Sequence, residues 1–575
     1  MKASFWERHF LAATVVLLLA MAVLEAASMR TESQTFDESY HLLGGYSYLK
    51  TGRIPGHSEH PPLAQIASAW PLLFFGLRVP EVRSIDAAEE LRREREFLYG
   101  SPYPADTLLL VTRSAHLLIT LLLGALIAWW TRARFGAAAG LAALWLYVFD
   151  PNFLAHGRYT TTDVPAAACF LLGCLAWNRF LANPRLANAA LCGVATGIAM
   201  ATKYSAVLLF ESYVVLYLFC WLRDPMRFRL RDLVKSVAVV GGVMFLVIYA
   251  VFGFETGTLL APGSTVTAEL SAKLQKNPET AGSFSDLILT HPAVAGLADR
   301  ITHTPIPMPS LFRGLYYTGS HAAEGHDTYL LGKFSKAGWW YYFPVMAAVK
   351  TPTGDILLFV LAVAVAAARV FGSKGALRIE WFTLTIPPIV YFVAAICAHI
   401  NVGFRHLLPI YPFVFIWMAA VLFGNIATGR AVRVAAMACL GLVALESLLV
   451  FPHYLAFFNT PAGGARGGAR IAVDSNLDWG QDLKQVKPYL DAHGISNVCL
   501  GYFGVAPPEY YGITARPVPA SLADAQASGC VVVMSLSLLY ERNFRGQYDW
   551  LRRMEPVGAI GDSFRVYDPG RAAAP

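Results

Sequence analysis

Acids stand where this chain leaves its apolar stretches. Thr35-Phe36-Asp37-Glu38-Ser39-Tyr40-His41 follows the first apolar segment directly, and Arg158-Tyr159-Thr160-Thr161-Thr162-Asp163 places a third acid at a later edge. An ionised carboxylate at such a boundary can take the proton of a hydroxyl that attacks an electrophile, the work of a general base. The local alternative is a helix start. Thr35 to Glu38 fits a capping box, in which the Glu returns a hydrogen bond to the turn. That accounts for Glu38 better than for Asp37, and Asp163 has a helix-start alternative of its own. Cations occupy neighbouring edges: Arg158, Lys203, and Arg405 beside His406. Singly, such residues snorkel to water. Converging, they would seat a phosphate or pyrophosphate through charge-assisted hydrogen bonds. Between the acids, Glu59-His60-Pro61-Pro62-Leu63 reads as a turn into a helix, because proline tolerates the first helical positions. His60 would then stand close enough to orient the acids or touch substrate.

The elements that must hold these residues are membrane helices. The 575-residue chain is 56% hydrophobic and only 15% charged, the composition of a polytopic membrane protein. Its net charge of +7 comes without a long basic tract, which argues against nucleic acid as a partner. With roughly 20 apolar residues per crossing, spans are predicted near 9–27, 107–130, 135–152, 164–181, 186–202, 204–222, 233–252, 345–371, 380–399, 405–424 and 431–451, about eleven in all. The apolar run 63–76, interrupted by Pro71, is expected along the interface.

Basic residues fall on alternate connections: Arg132 and Arg134, Arg179 and Arg185, Arg223 through Lys235, Arg369 through Arg378, Arg430 and Arg433. The positive-inside rule makes those cytoplasmic and sends 28–106, 253–344 and the tail after 452 outward. The first span has an alternative reading as a cleaved secretory signal, ending in Ala26-Ala27-Ser28. Six of the eight cysteines fall in or beside apolar spans as packing residues, and only Cys499 and Cys530, in the hydrophilic tail, could meet as a disulfide.

In order, Asp37-Glu38, His60-Pro61-Pro62-Leu63, Asp163, Thr202-Lys203-Tyr204-Ser205 and Gly403-Phe404-Arg405-His406-Leu407-Leu408-Pro409 resemble the C-class membrane glycosyltransferases. More narrowly, they are similar to glycosyltransferase family 39, the bacterial relatives of protein O-mannosyltransferases and of the aminoarabinose transferase of lipid A. The likeness covers about residues 1–450. It implies an α-helical polytopic transferase that moves a sugar from a polyprenyl-phosphate donor to an extracytoplasmic acceptor, inverting the anomeric carbon, in the cytoplasmic (inner) membrane. By that resemblance Asp37 is the base, Glu38 its neighbour in an acidic pair, and Asp163 the second-loop acid. Lys203, Arg405 and His406 would meet the carrier phosphate, with His60, Arg158 and Tyr204 as further substrate-binding candidates. Some members of the superfamily use a divalent metal; two carboxylates and a His leave that question open.

The segment 253–344 carries His291, His303, His321 and His326 at irregular spacings and the aromatics Trp339-Trp340-Tyr341-Tyr342, readable as interface anchors or as part of a lid. Gly463-Gly464-Ala465-Arg466-Gly467-Gly468, within a connector 452–469, reads as a flexible hinge and lacks the Lys-Ser/Thr ending of a phosphate loop. Residues 470–575 are expected to form a small extracytoplasmic α/β accessory domain, with strands at 470–473, 498–503 and 531–535 and helices at 481–492 and 521–527. Its string Asp474-Ser475-Asn476-Leu477-Asp478-Trp479-Gly480-Gln481-Asp482 fails the EF-hand pattern. A transporter or flippase of lipid-linked sugars is the alternative from another class. It would place polar sites near the midplane and show internal repeats, whereas here the polar residues gather at one edge. A membrane-anchored scaffold for the tail is a third reading, and it would not need acids in both loops.

Overall fold

The computed structural model describes residues 5–53, 59–83, 87–224, 230–261, 263–276, 283–372, 379–425, 428–541 and 546–571. The basic stretches read at Arg223 to Lys235 and Arg369 to Arg378 lie partly outside them. Among the described residues, eight helices are long and apolar enough to cross a bilayer: Phe5–Thr31, Ala105–Phe135, Asp163–Ala182, Tyr204–Arg223, Asp232–Val251, Ile379–Cys397, Phe404–Phe423 and Arg430–Val450. A ninth crossing is formed if Tyr342–Lys350 and Thr353–Arg369, bent by 104°, count as one span.

The remaining two expected spans are short helices, Ala137–Val148 and Leu186–Met200, of 12 and 15 residues. At about 1.5 Å per residue each is shorter than a bilayer core of about 30 Å, yet each returns the chain across the bundle, since Asp163 and Lys203, which follow them, meet at one end. Their apolar character serves the bundle. Ala139, Ala143, Leu144, Leu146 and Tyr147 are fully buried, as are Ala189 and Cys192. Small residues permit this close approach: a Cβ on Gly193 or Gly197 would lie 2.7 Å from Val240 or Val247 of the adjoining helix.

The segment after the first span turns at 32–37 and starts the helix Glu38–Thr51, which packs on Pro62–Ala69. A Cβ on Gly45 would lie 2.3 Å from the Gln65 carbonyl, so glycine is required at that crossing. The expected interfacial run is this helix and its continuation Trp70–Phe75, with Trp70 and Phe74 exposed. Helix Pro309–Glu324 of the long loop reaches the same end of the bundle, where Thr318 Oγ1 donates to the Glu59 carbonyl at 3.0 Å.

The tail carries a four-stranded sheet in the order Val498–Gly501, Val531–Ser535, Phe564–Tyr567, Gly558–Ile560. The first pair is parallel, with Val498 opposite Val531, and the others are antiparallel. Helices Val486–Ala492 and Leu522–Ser528 accompany it. Two strands, Gly558–Ile560 and Phe564–Tyr567, had no sequence reading. The expected strand at 470–473 is instead a run of turns, because Ile471 and Ala472 donate their N–H groups back to the Gly468 carbonyl. In the connector, Tyr454, Leu455, Ala456, Phe457 and Phe458 are buried, whereas Gly463 to Gly467 are exposed or half-buried. Cys499 and Cys530 form a disulfide.

Candidate active site

Four ionisable side chains from four separate breaks in the helical pattern meet at one end of the bundle. Asp37 precedes the helix Glu38–Thr51, and its side chain makes no capping bond. Asp163 is the first residue of the span Asp163–Ala182. Lys203, in extended backbone, ends the turn after Leu186–Met200. Arg405 enters the 3-10 turn Phe404–Ile410 just after Gly403. Each break leaves a side chain at the end of an apolar element, free to turn toward its counterparts.

Arg405 sits between the two acids. Its Nη1 donates to Asp37 Oδ2 at 2.8 Å and lies 3.6 Å from Asp163 Oδ2. Lys203 Nζ holds the other Asp163 oxygen at 2.5 Å. Asp163 is buried, Lys203 and Arg405 are 13% exposed, and Asp37 is the most open member at 27%. The row Asp37–Arg405–Asp163–Lys203 thus alternates in sign and opens at Asp37. Arg405 Nε is buried with no hydrogen-bond partner among the described residues. A buried N–H without a partner costs free energy, so this donor is available to an incoming anion.

Histidines and buried aromatic residues surround the row. His406 lies within electrostatic reach of Lys203, Arg405 and Asp163. His60 and His41 face each other with ring centroids 5.0 Å apart, and Gln65 Nε2 is 3.3 Å from His41 Nδ1. Burial drives the His41 pKa down to about 3, with Arg405 and Lys203 adding to the effect against Asp163, so its ring is neutral at neutral pH. Burial depresses His60 in the same way. The Pro61-Pro62-Leu63 turn is tied to the Lys203 turn, since the Leu63 N–H donates to the Ala201 carbonyl at 3.0 Å. Tyr204 is buried next to Lys203 and within reach of Tyr40.

Two residues expected at the site are held elsewhere. Glu38 is fully buried against Arg113, which donates to both its oxygens at 2.8 and 2.6 Å and to the Ser33 carbonyl at 2.8 Å. The Thr35 N–H donates to Glu38 at 2.9 Å, the returning half of a capping box. Burial alone would raise the Glu38 pKa; the Arg113 charge and the bonds from Arg113, Thr35 and Thr160 outweigh it and hold it below its ordinary value. Arg158 is likewise fully buried, pairing with Glu32 at 2.9 and 2.5 Å and stacking on Tyr159. Both belong to the packing beneath the site. Their partners lie 75 and 126 residues away, so no local pattern signals them.

A metal fits this arrangement poorly. The place between the Asp37 and Asp163 carboxylates is filled by the Arg405 guanidinium, and the outer oxygen of Asp163 is held by Lys203. Among the described residues no group of three or more His, Cys, Asp or Glu is placed to hold a metal ion. In the long loop, His321 pairs with Glu59 at 3.3 Å and stacks on His326.

The tail contributes residues that local sequence reading gave no role. Trp479 is 2% exposed, and the Arg405 guanidinium lies over its ring at 4.4 Å from the centroid. Asn476 Oδ1 accepts the Phe404 N–H at 2.8 Å. The conspicuous string around Trp479 was the available signal; its target was not readable.

Residues 107–258, about a quarter of the chain, match the sequence model of the family described as dolichyl-phosphate-mannose-protein mannosyltransferase. No curated protein matches the chain. Among solved structures, the Saccharomyces cerevisiae protein O-mannosyltransferase Pmt1-Pmt2 complex, bound to the sugar donor, is similar at a TM-score of 0.51 and 10% identity, over 78% of this chain and 90% of that one. ArnT from Cupriavidus metallidurans in the apo state matches over 98% of this chain and 99% of its own, at a TM-score of 0.48 and 13% identity. The oligosaccharyltransferase of Archaeoglobus fulgidus in the apo form matches at 0.46 and 12% identity, over 95% of this chain and 72% of that one.

Proposed function

This chain has the fold of the C-class membrane glycosyltransferases, and on that premise we propose that it transfers a sugar from a polyprenyl-phosphate carrier to a hydroxyl-bearing acceptor outside the cytoplasmic membrane. The observation that carries the reading is the alternating row Asp37–Arg405–Asp163–Lys203, assembled from breaks far apart in sequence. An isolated structural ion pair would need neither the second acid nor the shared guanidinium.

In this reading Asp37, the most open of the four, takes the proton of the acceptor hydroxyl. The oxygen attacks the anomeric carbon from the face opposite the phosphate, the bond from that carbon to the phosphate oxygen breaks, and the configuration inverts. The electron pair leaves with polyprenyl phosphate. Lys203 and the free Nε–H of Arg405 meet the charge that develops on it, the kind of fixed electrostatic help that contributes most to such steps. Asp163 holds both cations in place through the helix start it occupies. His41 and His60, kept neutral by burial, can donate or accept hydrogen bonds to sugar hydroxyls without adding charge. The Cys499–Cys530 disulfide supports an outward tail, because disulfides persist in oxidising compartments.

The test is a panel of polyprenyl-phosphate sugars offered to the purified full-length protein in detergent, with release of free polyprenyl phosphate as readout. Release from one or more donors, with inverted configuration in the product, is the expected result. Donors that bind and are never cleaved, with or without acceptor, would replace this reading by a transporter of lipid-linked sugars.

A further inference from the structure

The tail is attached to the site at the very residues that carry it. The chain Asp474–Asp482 lies between the turn that bears Arg405 and the turn that bears Asp37, and it is bonded to both. On the Arg405 side, Asn476 Oδ1 accepts the Phe404 N–H at 2.8 Å and Ser475 Oγ donates to the Val402 carbonyl. Gly403 has φ +138°, and a Cβ there would lie 2.3 Å from Ser475 Oγ, so only glycine admits this approach. On the Asp37 side, the Ser33 N–H donates to the Gln481 carbonyl at 2.8 Å and Ser33 Oγ to the Gly480 carbonyl at 2.9 Å.

Trp479 joins the two sides in one residue. Its carbonyl accepts the N–H of Phe36, the residue before Asp37, at 2.9 Å. Its ring underlies the Arg405 guanidinium and is itself wedged by His156 and Tyr159, with centroids 6.1 and 6.2 Å away. A guanidinium is planar, so an aromatic floor fixes its tilt in a way a carboxylate contact alone does not. The string is in turn anchored in the tail's own sheet. Asp478 accepts from the Ser537 N–H at 2.7 Å and from Ser535 Oγ, and Asp482 accepts from Ser563 Oγ at 2.8 Å.

We propose that Trp479 is a positioning residue for the transfer reaction, setting the plane in which Arg405 meets Asp37 and the leaving phosphate, and that the C-terminal domain is thereby a working part of the catalytic site. The inference rests on the transferase reading above. It assigns the tail a role that an accessory module for acceptor or partner binding would not have: removing the contact should slow the chemical step rather than weaken donor binding.

The experiment is a double-mutant cycle on the full chain with Trp479→Leu, Arg405→Lys and the double variant, read as kcat and KM for whichever polyprenyl-phosphate sugar the wild type cleaves. Trp479→Leu is expected to lower kcat roughly tenfold, with KM changed less than about threefold, and Trp479→Phe, which keeps an aromatic face, to retain at least about a third of kcat. The double variant is expected to be no slower than Arg405→Lys alone, since lysine has no plane to be held. Multiplicative losses in the cycle, or a Trp479→Leu variant as fast as wild type, would overturn the proposal and leave the transferase reading standing. If Trp479→Leu does not fold, Trp479→Met takes its place in the cycle. If the wild type cleaves no donor, the transferase reading fails and the contact is judged by hydrogen exchange. Faster exchange at both 33–41 and 402–408 in Trp479→Leu, with the sheet at 498–567 unchanged, then supports the coupling; unchanged exchange refutes it.

Discussion

Neighbouring acids with opposite fates give the sharpest mutational contrast. Glu38→Gln keeps the shape of the side chain and removes its charge. The perturbation leaves the Arg113 charge, 1% exposed, without its carboxylate, with only the Ser33 carbonyl and one amide oxygen as neutral acceptors. Breaking one partner of a buried pair costs about 3–5 kcal/mol, because the surviving charge cannot reach water. Asp37→Asn, next door, removes a charge that is 27% exposed, and Arg405 keeps Asp163 at 3.6 Å. Its cost should be about 1 kcal/mol or less. The assays are equilibrium unfolding in detergent and release of polyprenyl phosphate from the donor. Glu38→Gln should fail the first, and whatever fraction remains folded should still turn over; Asp37→Asn should pass the first and fail the second. The pH dependence adds a sign. The Glu38 pKa is lowered in the fold, so its contribution to stability is complete above the ordinary carboxyl value of 4.5 and is lost as pH falls through the folded value. Glu38→Gln should flatten that acid loss. A Glu38→Gln protein as stable as wild type but inactive would refute the argument and return Glu38 to the catalytic set.

Arg158→Gln should lower stability by about 3–5 kcal/mol through loss of the buried Glu32 pair, without a selective rise in donor KM; a KM effect in a fully stable variant would put Arg158 back on the substrate. Cys499→Ser, or reduction of the disulfide that closes a 31-residue separation, should cost the tail about 3–4 kcal/mol, read by protease sensitivity of residues 470–571. His41 is buried neutral with its pKa at about 3, below the ordinary 6.5, so stability should fall as pH drops from 6.5 toward 3. His41→Gln should reduce that slope, measured as the unfolding midpoint against pH; an unchanged slope would count against burial as the cause.

The sequence showed the edges of elements better than their partners. Asp37, Asp163, Lys203 and Arg405 were readable because each stands where an apolar run ends, and a charge there requires a reason. That they form one row depends on contacts of up to 368 residues' separation, which no spacing reveals. The capping-box pattern at Thr35 to Glu38 signalled one bond the structure contains, from the Thr35 N–H to Glu38, while the pairing of Glu38 with Arg113 had no local signal. Ala137–Val148 and Leu186–Met200 are shorter than the predicted spans, but each carries the chain back to the end where Asp163 and Lys203 meet. Trp479 was visible only as part of an unusual string, since what it supports lies in the first loop and beside the tenth expected span.

The central claim is that Asp37 is the base that starts sugar transfer. Its most direct measurement is single-turnover release of polyprenyl phosphate by wild type and Asp37→Asn, each with the donor fully bound in the presence of acceptor. The account predicts equal donor binding and a rate lowered by about 10²–10⁴-fold in Asp37→Asn. Release by Asp37→Asn at the wild-type rate would contradict it.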